Sequence, residues 1–143
     1  DVRRVIRHRA QGYVRVDDEL RNSALMDGSY KLGGGGLCAS AVDVARVGQA
    51  LLDGRLLRPE TLATMWTEQR TAAGEGTGYG LGFALANKND RREVMHTGAQ
   101  SRVSTVLYLL PDERIVVVLL CNLEQVRLLP LARTVGAAAL AFR

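Results

Sequence analysis

The side chains best suited to chemistry stand together in the tripeptide His96-Thr97-Gly98. Two short apolar runs follow this tripeptide, Val103 to Leu110 and Ile115 to Cys121. The turn residues Pro111-Asp112-Glu113 separate the two runs. Such a pattern predicts an antiparallel hairpin, so the tripeptide ends the strand before it. Taken alone, the tripeptide permits two interpretations: a catalytic role, or a histidine that is hydrogen-bonded for structural reasons.

Four consecutive glycines, Gly33 to Gly36, indicate a backbone that takes positive φ or allows another backbone or a ligand to approach closely. A phosphate loop of the Walker kind ends with Lys followed by Ser or Thr. Leu37-Cys38 follow these glycines instead, so we do not expect a phosphate site.

The two cysteines, Cys38 and Cys121, lie in apolar surroundings and lack CxxC spacing. We interpret both as buried small hydrophobic residues, with a disulfide between them as the alternative. Only His8 and His96 could complete a metal site, so the sequence predicts no metal and no cofactor.

The length of 143 residues and the hydrophobic fraction of 47% indicate one globular domain. No apolar run approaches the roughly 18 residues that cross a bilayer, so no membrane span is predicted. The N-terminus has neither an initiating Met nor the pattern of a signal peptide. We therefore expect a cut or processed chain whose targeting segment would lie upstream, and the compartment is left open.

The net charge is +4, and a group of arginines surrounds His8 near the N-terminus: Arg3, Arg4, Arg7 and Arg9. Such a group could contact nucleic acid or an anionic membrane. No aromatic residues interleave with these arginines and no nucleic-acid motif follows, so we favour a solvated surface and no nucleic-acid partner.

The first half of the chain predicts one strand and two helices. After residues 1–9, interpreted as the end of a helix or strand, alternation predicts a strand over Gly12 to Val16, with a turn and an irregular segment to Leu32. Ser40 as N-cap predicts a helix from Ala41 to Asp53, ended by Gly54. Its buried face is predicted to hold Val44, Val47 and Leu51.

Pro59 is predicted to open a second helix whose buried face holds Leu62, Met65 and Trp66. A strand over Tyr79 to Leu85, a turn over Asn87 to Asp90 and a returning strand over Arg92 to His96 are expected next.

The last part of the chain predicts the main sheet and its covering helix. The run IVVVLLC has no polar alternation, which predicts a central strand covered by helices on at least one side. A C-terminal helix beginning near Pro130 has apolar residues at helical spacing: Leu128, Leu131, Ala132, Val135, Ala138, Ala139 and Phe142. We therefore predict an α+β fold, an antiparallel sheet with the C-terminal helix packed on it.

The succession of segments resembles the C-terminal part of the serine β-lactamase and penicillin-binding-protein-like family. Within that family, the chain resembles the branch that includes esterases, D-amino-acid peptidases and mitochondrial serine β-lactamase-like proteins. The resemblance covers roughly Gly12 to Glu124 through DGSYKLGGGGLCASAVDVARVGQALLDG, LLRPETLATMW, GYGLGF and HTGAQSRVSTVLYLLPDERIVVVLLCNLE. It implies that residues 1–143 form the C-terminal portion of a β-lactamase/transpeptidase-like domain.

The resemblance also implies a chemistry and site residues. In that family a serine of a Ser-x-x-Lys motif attacks an ester, amide or β-lactam carbonyl to form an acyl-enzyme, and a Tyr-x-Asn motif helps to move protons. The third motif, Lys-Thr-Gly or His-Thr-Gly, maps onto His96, Thr97 and Gly98 as substrate-orienting residues. Gly98 would leave room for the acyl group, and the Ala99 N–H would be one oxyanion-hole donor.

The first two motifs do not occur in this sequence. No Tyr-x-Asn is found, and each serine lacks a Lys three residues later: Ser23, Ser29, Ser40, Ser101 and Ser104. We therefore expect this chain to supply one wall of a site for a small-molecule or peptide carbonyl substrate, but not the nucleophile. Arg102 is expected to narrow or charge the mouth of that site. The alternative is a non-catalytic scaffold that self-associates.

Overall fold

Four antiparallel strands form the frame of the structure, a computed structural model that describes residues 5–142. In chain order its elements are β1 Tyr13–Val16, β2 Glu19–Asn22, α1 Ala41–Leu52, α2 Pro59–Met65, β3 Ala84–Lys88, β4 Arg91–Gln100, β5 Val103–Leu110, β6 Ile115–Cys121 and α3 Leu129–Ala141. Strands β3 to β6 lie in sequence order in one sheet, and β1 and β2 form a separate hairpin. This arrangement confirms the α+β prediction.

Helices cover both faces of the sheet, and the side chains of β5 alternate between the two hydrophobic cores that result. Val106, Tyr108 and Leu110 belong to the cluster beneath α3, together with Met95 and Ala132. A second cluster lies beneath α1 and α2 on the other face and contains Leu51, Trp66, Phe83, Val94 and Leu109. The predicted hairpin of β5 and β6 is confirmed with its bounds, from the pair Leu110↔Ile115 to Ser104↔Cys121.

The prediction that IVVVLLC is a central strand is wrong. Strand β6 is the last of the four, and among the described residues it pairs with β5 alone. Its apolar character follows instead from the two helices, because both α1 and α3 contact it. Covering by helices on both faces gives the same sequence pattern as a central position does.

Helix α1 begins as predicted, because Ser40 Oγ accepts a hydrogen bond of 3.2 Å from the Asp43 N–H. It ends one residue earlier than predicted, with Gly54 at φ +67°. Its buried face is rotated, since Val47 is 49% exposed while Gly48 is buried. A Cβ at Gly48 would lie 2.7 Å from Val116 Cγ1, so only glycine lets the helix approach the sheet this closely.

Helix α2 begins at Pro59, and Trp66 follows its last turn as a buried core residue that packs edge-on against Phe83 with ring centroids 6.3 Å apart. Both observations confirm the predictions for this segment.

The predicted strand over Tyr79 to Leu85 is wrong, since β3 occupies Ala84–Lys88. Gly78 and Gly82 take φ of +66° and +80°, which bends the chain before the strand begins. A Cβ at Gly80 would overlap the Met65 carbonyl oxygen. The small residues of this segment therefore let the end of α2 approach closely, as predicted, but they do so in a bend and not in a strand. The turn between β3 and β4 is shorter than the predicted Asn87 to Asp90, because only Asn89 and Asp90, both at positive φ, separate the two strands.

The N-terminal segment departs from the prediction in two ways. Strand β2 was expected to be irregular, but it pairs with β1 through a turn at Asp17 and Asp18, both at positive φ. Residues 5–9 are neither helix nor strand. Arg7 and Arg9 are exposed, whereas Arg3 and Arg4 lie outside the described residues.

Helix α3 begins next to Pro130 as predicted and buries Ala132 and Gly136 against the sheet. Four residues of the predicted apolar face are exposed instead: Leu131, Val135, Ala138 and Phe142. Cys38 is exposed and Cys121 half-buried, and both thiols are free, so the predicted burial of Cys38 and the alternative disulfide are wrong. Cys38 lies in an exposed loop between the glycine run and α1. No helix in the described range is long and apolar enough to cross a membrane.

Candidate active site

The His-Thr-Gly motif lies on a strand that is paired on one side only. Strand β4 extends to Gln100, four residues beyond the predicted end, and β5 pairs with it from Val94 to Gln100. Strand β3 pairs only with the first half, from Arg91 to Met95. Within residues 5–142 no strand pairs with the other side of His96 to Gln100. This segment, called here the open edge, spans five residues, or about 17 Å.

The two side chains of the motif lie on opposite faces of the sheet. Val94 belongs to the cluster beneath α1 and α2, and Met95 to the cluster beneath α3. Side chains alternate along a strand, so His96 lies on the α1 face and Thr97 on the α3 face. Both residues are exposed, as is Ala99. The motif is therefore a stretch of exposed main chain with one polar side chain on each face of the sheet.

Gly98 is half-buried against its neighbour on β5. A Cβ at this position would overlap Thr105 Oγ1, while the next nearest atom, Thr105 Cβ, would be 3.8 Å away. Thr105 is the direct cross-strand partner of Gly98. Packing against β5 is therefore a sufficient reason for glycine here, in addition to the room for a substrate that the motif suggests.

The glycine run docks at the far end of the open edge through Gln100. Gln100 Nε2 donates to the Gly35 carbonyl over 2.9 Å, and its Oε1 accepts from Lys31 Nζ over 3.1 Å. Gly35, at φ +117°, leaves a space in which a Cβ would lie 3.0 Å from Gln100 Oε1. The positive φ predicted for the glycine run is therefore confirmed at Gly35. The predicted approach of another backbone is confirmed at Gly36, where a Cβ would lie 2.9 Å from the Gly28 carbonyl oxygen. Sequence reasoning missed both Lys31 and Gln100, for which the glycine run was the available signal.

The turn between β4 and β5 is fixed by Glu124. Its Oε1 accepts from the Arg102 N–H over 2.9 Å and from Ser101 Oγ over 3.0 Å. Arg102 takes φ of +82°, and its guanidinium donates to Gln11 Oε1. The Arg102 side chain is therefore bonded to the N-terminal segment.

A buried ion pair joins β4 to α3, three residues before His96. Glu93 is 3% exposed and accepts from Arg133 at both carboxylate oxygens, at 2.5 to 3.1 Å. Tyr108 Oη also donates to Glu93 over 2.8 Å. Burial, and then the hydrogen bond to Glu93, raise the pKa of Tyr108 well above its usual value. The hydrogen bond to Glu93 likewise raises the pKa of Arg133.

The serines of the sheet region have structural partners. Ser104 is 1% exposed, donates to the Leu123 carbonyl and accepts from the Val126 N–H. Within the described range, no group of three or more His, Cys, Asp or Glu residues could hold a metal ion. Two surface depressions, one beside β1 and one beside α2, do not include His96 to Ala99.

The chain is similar to known proteins in sequence and in fold. The family described as "Beta-lactamase" matches residues 3–141. The protein named "Serine beta-lactamase-like protein LACTB, mitochondrial" is 28% identical over 165 residues in Mus musculus and in Homo sapiens, covering 87% of this chain and 30% of each relative. The chain therefore spans under a third of the length of these curated relatives.

A solved structure described as a penicillin binding protein from Bacillus halodurans has the same fold over most of this chain. The TM-score is 0.66 at 20% sequence identity, and the match covers 94% of this chain and 40% of that one. At this level of identity the likeness concerns the fold alone.

Proposed function

Because the chain belongs to the beta-lactamase family, we propose that it forms one wall of the active site of a serine hydrolase. The substrate would be an ester, amide or β-lactam carbonyl, processed through an acyl-enzyme whose serine lies outside this chain. The observation that supports this proposal is the open edge, because a strand with an unpaired side can bind an extended ligand as an additional strand.

The three residues of the His-Thr-Gly motif and Ala99 each have a role in this proposal. The Ala99 N–H donates to the oxyanion that forms when the carbonyl is attacked, an interaction typically worth about 3 kcal/mol in the transition state. His96 and Thr97 orient the substrate from the two faces of the sheet, through the imidazole on the α1 face and the hydroxyl on the α3 face. Gly98 keeps the acyl group close to the main chain.

The α1 face of the sheet has an uncovered part that favours a nucleophile supplied from outside this chain. Helix α1 covers the part of the face around Leu109 and Val116. Towards the other end, His96 is exposed and Leu120 is 40% exposed. A segment with the Ser-x-x-Lys motif would pack on this uncovered part, which lies beside the open edge.

Two measurements test the proposal. Incubation of the purified chain with a fluorophosphonate and with a fluorescent penicillin should leave its intact mass unchanged, and a covalent adduct would contradict an external nucleophile. Titration with N-acetyl-alanyl-alanine should shift the amide NMR signals of Thr97 to Gln100 and leave those of β6 in place. An unchanged open edge at saturating ligand would contradict the binding role.

A second candidate function is self-association without catalysis. It is favoured by apolar side chains that remain exposed along α3, where Leu131, Val135 and Phe142 are 52%, 40% and 90% exposed. The unpaired side of β6 is a second surface that a copy could join. Sedimentation equilibrium decides between the two: a monomer at high protein concentration would exclude the scaffold, and a dimer that Leu131→Glu dissociates would support it.

A further inference from the structure

The turn between β4 and β5 has a conformation that its own sequence disfavours. Only Ser101 and Arg102 separate the two strands, and Ser101 has a negative φ whereas Arg102 has a φ of +82°. Two-residue hairpin turns normally have a positive φ at the first central residue, because their twist then matches that of the strands. A positive φ at the second central residue favours glycine. Arginine is strained at this position, so contacts from other parts of the chain must hold the turn.

Glu124 makes such contacts from the segment after β6. Its Oε1 accepts hydrogen bonds from the Arg102 N–H over 2.9 Å and from Ser101 Oγ over 3.0 Å. Both residues of the turn are therefore bound to one carboxylate oxygen. Hydrogen bonds to an ionised acceptor are about twice as strong as those between neutral groups, so this side chain can offset the strain at Arg102.

The main chain around Glu124 is itself fixed in place. The Glu124 N–H donates to the Tyr13 carbonyl over 2.9 Å. Ser104, which is 1% exposed, donates to the Leu123 carbonyl over 2.9 Å. Ser104 is also the cross-strand partner of Ala99. The carboxylate is thus anchored to the same part of β5 that pairs with Ala99.

Ala99 depends on this turn for its position. Strand β3 supports β4 only as far as Met95, and in the described part of the chain no strand lies on the outer side of Ala99. The next pair along the hairpin, Gln100↔Val103, closes the turn. A change in the conformation of the turn would therefore displace Ala99 more than the residues nearer to β3.

We propose that Glu124 is a positioning residue, which fixes the direction of the Ala99 N–H by holding the strained turn. This inference rests on the proposed function, in which that N–H donates to the oxyanion. Without the carboxylate, Arg102 relaxes from its positive φ and the end of β4 moves with it. Glu124 contributes to binding through the turn and not by contact with the substrate.

The test removes the carboxylate and the strain separately. N-acetyl-alanyl-alanine is titrated into the whole chain, and the dissociation constants are read from the amide signals of Thr97 to Gln100. Glu124→Ala should bind about fivefold more weakly than the unaltered chain. Glu124→Gln, which keeps an acceptor oxygen, should stay within about twofold of it. Arg102→Gly/Glu124→Ala should also stay within about twofold, because glycine adopts a positive φ without strain.

Asp53 provides the matched control. Its carboxylate accepts from the Arg114 side chain at the turn between β5 and β6, where Arg114 has a φ of +55°. That turn follows the pair Leu110↔Ile115, at the opposite end of β5 from Ala99. Asp53→Ala should lower the melting temperature and leave the affinity for the ligand unchanged.

Ligand-free spectra give a second measurement of the same role. The Ala99 amide signal should move in Glu124→Ala relative to the unaltered chain. It should coincide in Arg102→Gly and Arg102→Gly/Glu124→Ala. Ser101→Ala removes one of the two hydrogen bonds and replaces Glu124→Ala if that variant does not fold. It should weaken binding about twofold, and unchanged binding would count against the role of Glu124.

The outcomes separate the two proposals. Unchanged affinity in Glu124→Ala would overturn the role of Glu124 and leave the proposed function standing. Equal losses in Glu124→Ala and Arg102→Gly/Glu124→Ala would show that the carboxylate does not act through the turn, which also overturns the inference. A similar loss in Asp53→Ala would assign the effect to general destabilisation and overturn it. If the unaltered chain shows no shift at the open edge, the proposed function fails and the role of Glu124 fails with it.

Discussion

Gly98→Ala is expected to destabilise the sheet because the new Cβ clashes with Thr105, and a second substitution at Thr105 should remove that clash. The added Cβ overlaps Thr105 Oγ1, well inside the 3.0 Å that real Cβ atoms keep. Overpacking of this kind costs about 1 to 3 kcal/mol. In Gly98→Ala/Thr105→Ala the nearest atom of Thr105 is its Cβ at 3.8 Å, an ordinary contact. The double variant should therefore recover most of the loss.

Urea unfolding of the four chains in this cycle gives the coupling free energy, which should be about 1 to 2 kcal/mol in favour of the double variant. Thr105→Val is the matched control, because its second methyl fills the place of Oγ1. Gly98→Ala/Thr105→Val should therefore remain as unstable as Gly98→Ala. Coupling below about 0.3 kcal/mol would refute the assignment of Gly98 to packing.

The same variants separate packing from ligand binding. If Gly98 serves only the contact with Thr105, Gly98→Ala/Thr105→Ala should bind N-acetyl-alanyl-alanine as the unaltered chain does. If the glycine also leaves room for the acyl group, the double variant should be stable and yet bind more weakly.

Three further predictions concern the supports of the sheet and of α1. Arg133→Met should lower the free energy of unfolding by about 3 kcal/mol, because it leaves the carboxylate of Glu93 buried without its cation; a loss below 1 kcal/mol in urea titrations would contradict this reasoning. The pKa of Tyr108 is raised above its ordinary value of 10.0, so the stability from its neutral phenol holds below that pH and is lost as the pH rises further. Between pH 9 and 11 the unaltered chain should therefore lose more stability than Tyr108→Phe, and equal losses would exclude the phenol as the cause. Ser40→Ala should cost about 1 kcal/mol in thermal unfolding by removing the bond from the Asp43 N–H, whereas Ser40→Thr, which keeps a hydroxyl, should retain most of the stability.

Local signals in the sequence predicted the elements that depend on local chemistry. The hairpin of β5 and β6, the cap at Ser40 and the start of α2 at Pro59 all follow from turn and capping preferences, and all are confirmed. The alternation that suggested a strand over Tyr79 to Leu85 was misleading, because positive φ at Gly78 and Gly82 overrides it.

What the sequence could not supply was the pairing of distant segments. The edge position of β6 depends on which strands lie beside it, and its composition reflects its covering helices instead. The open edge arises because β3 ends its pairing at Met95, and no residue type in β4 indicates this. Lys31 and Gln100 are 69 residues apart, so their contact could not be found from spacing.

The alternation of β5 between two cores has a consequence for the neighbouring strand. A slip of one residue would exchange the contents of the α1 and α3 layers, moving Leu109 under α3 and Tyr108 away from Glu93. Both layers therefore oppose such a slip, and β4, paired with β5 over seven residues, is held in register with it. The side on which His96 emerges is thus fixed by hydrophobic packing on both surfaces of an adjacent strand.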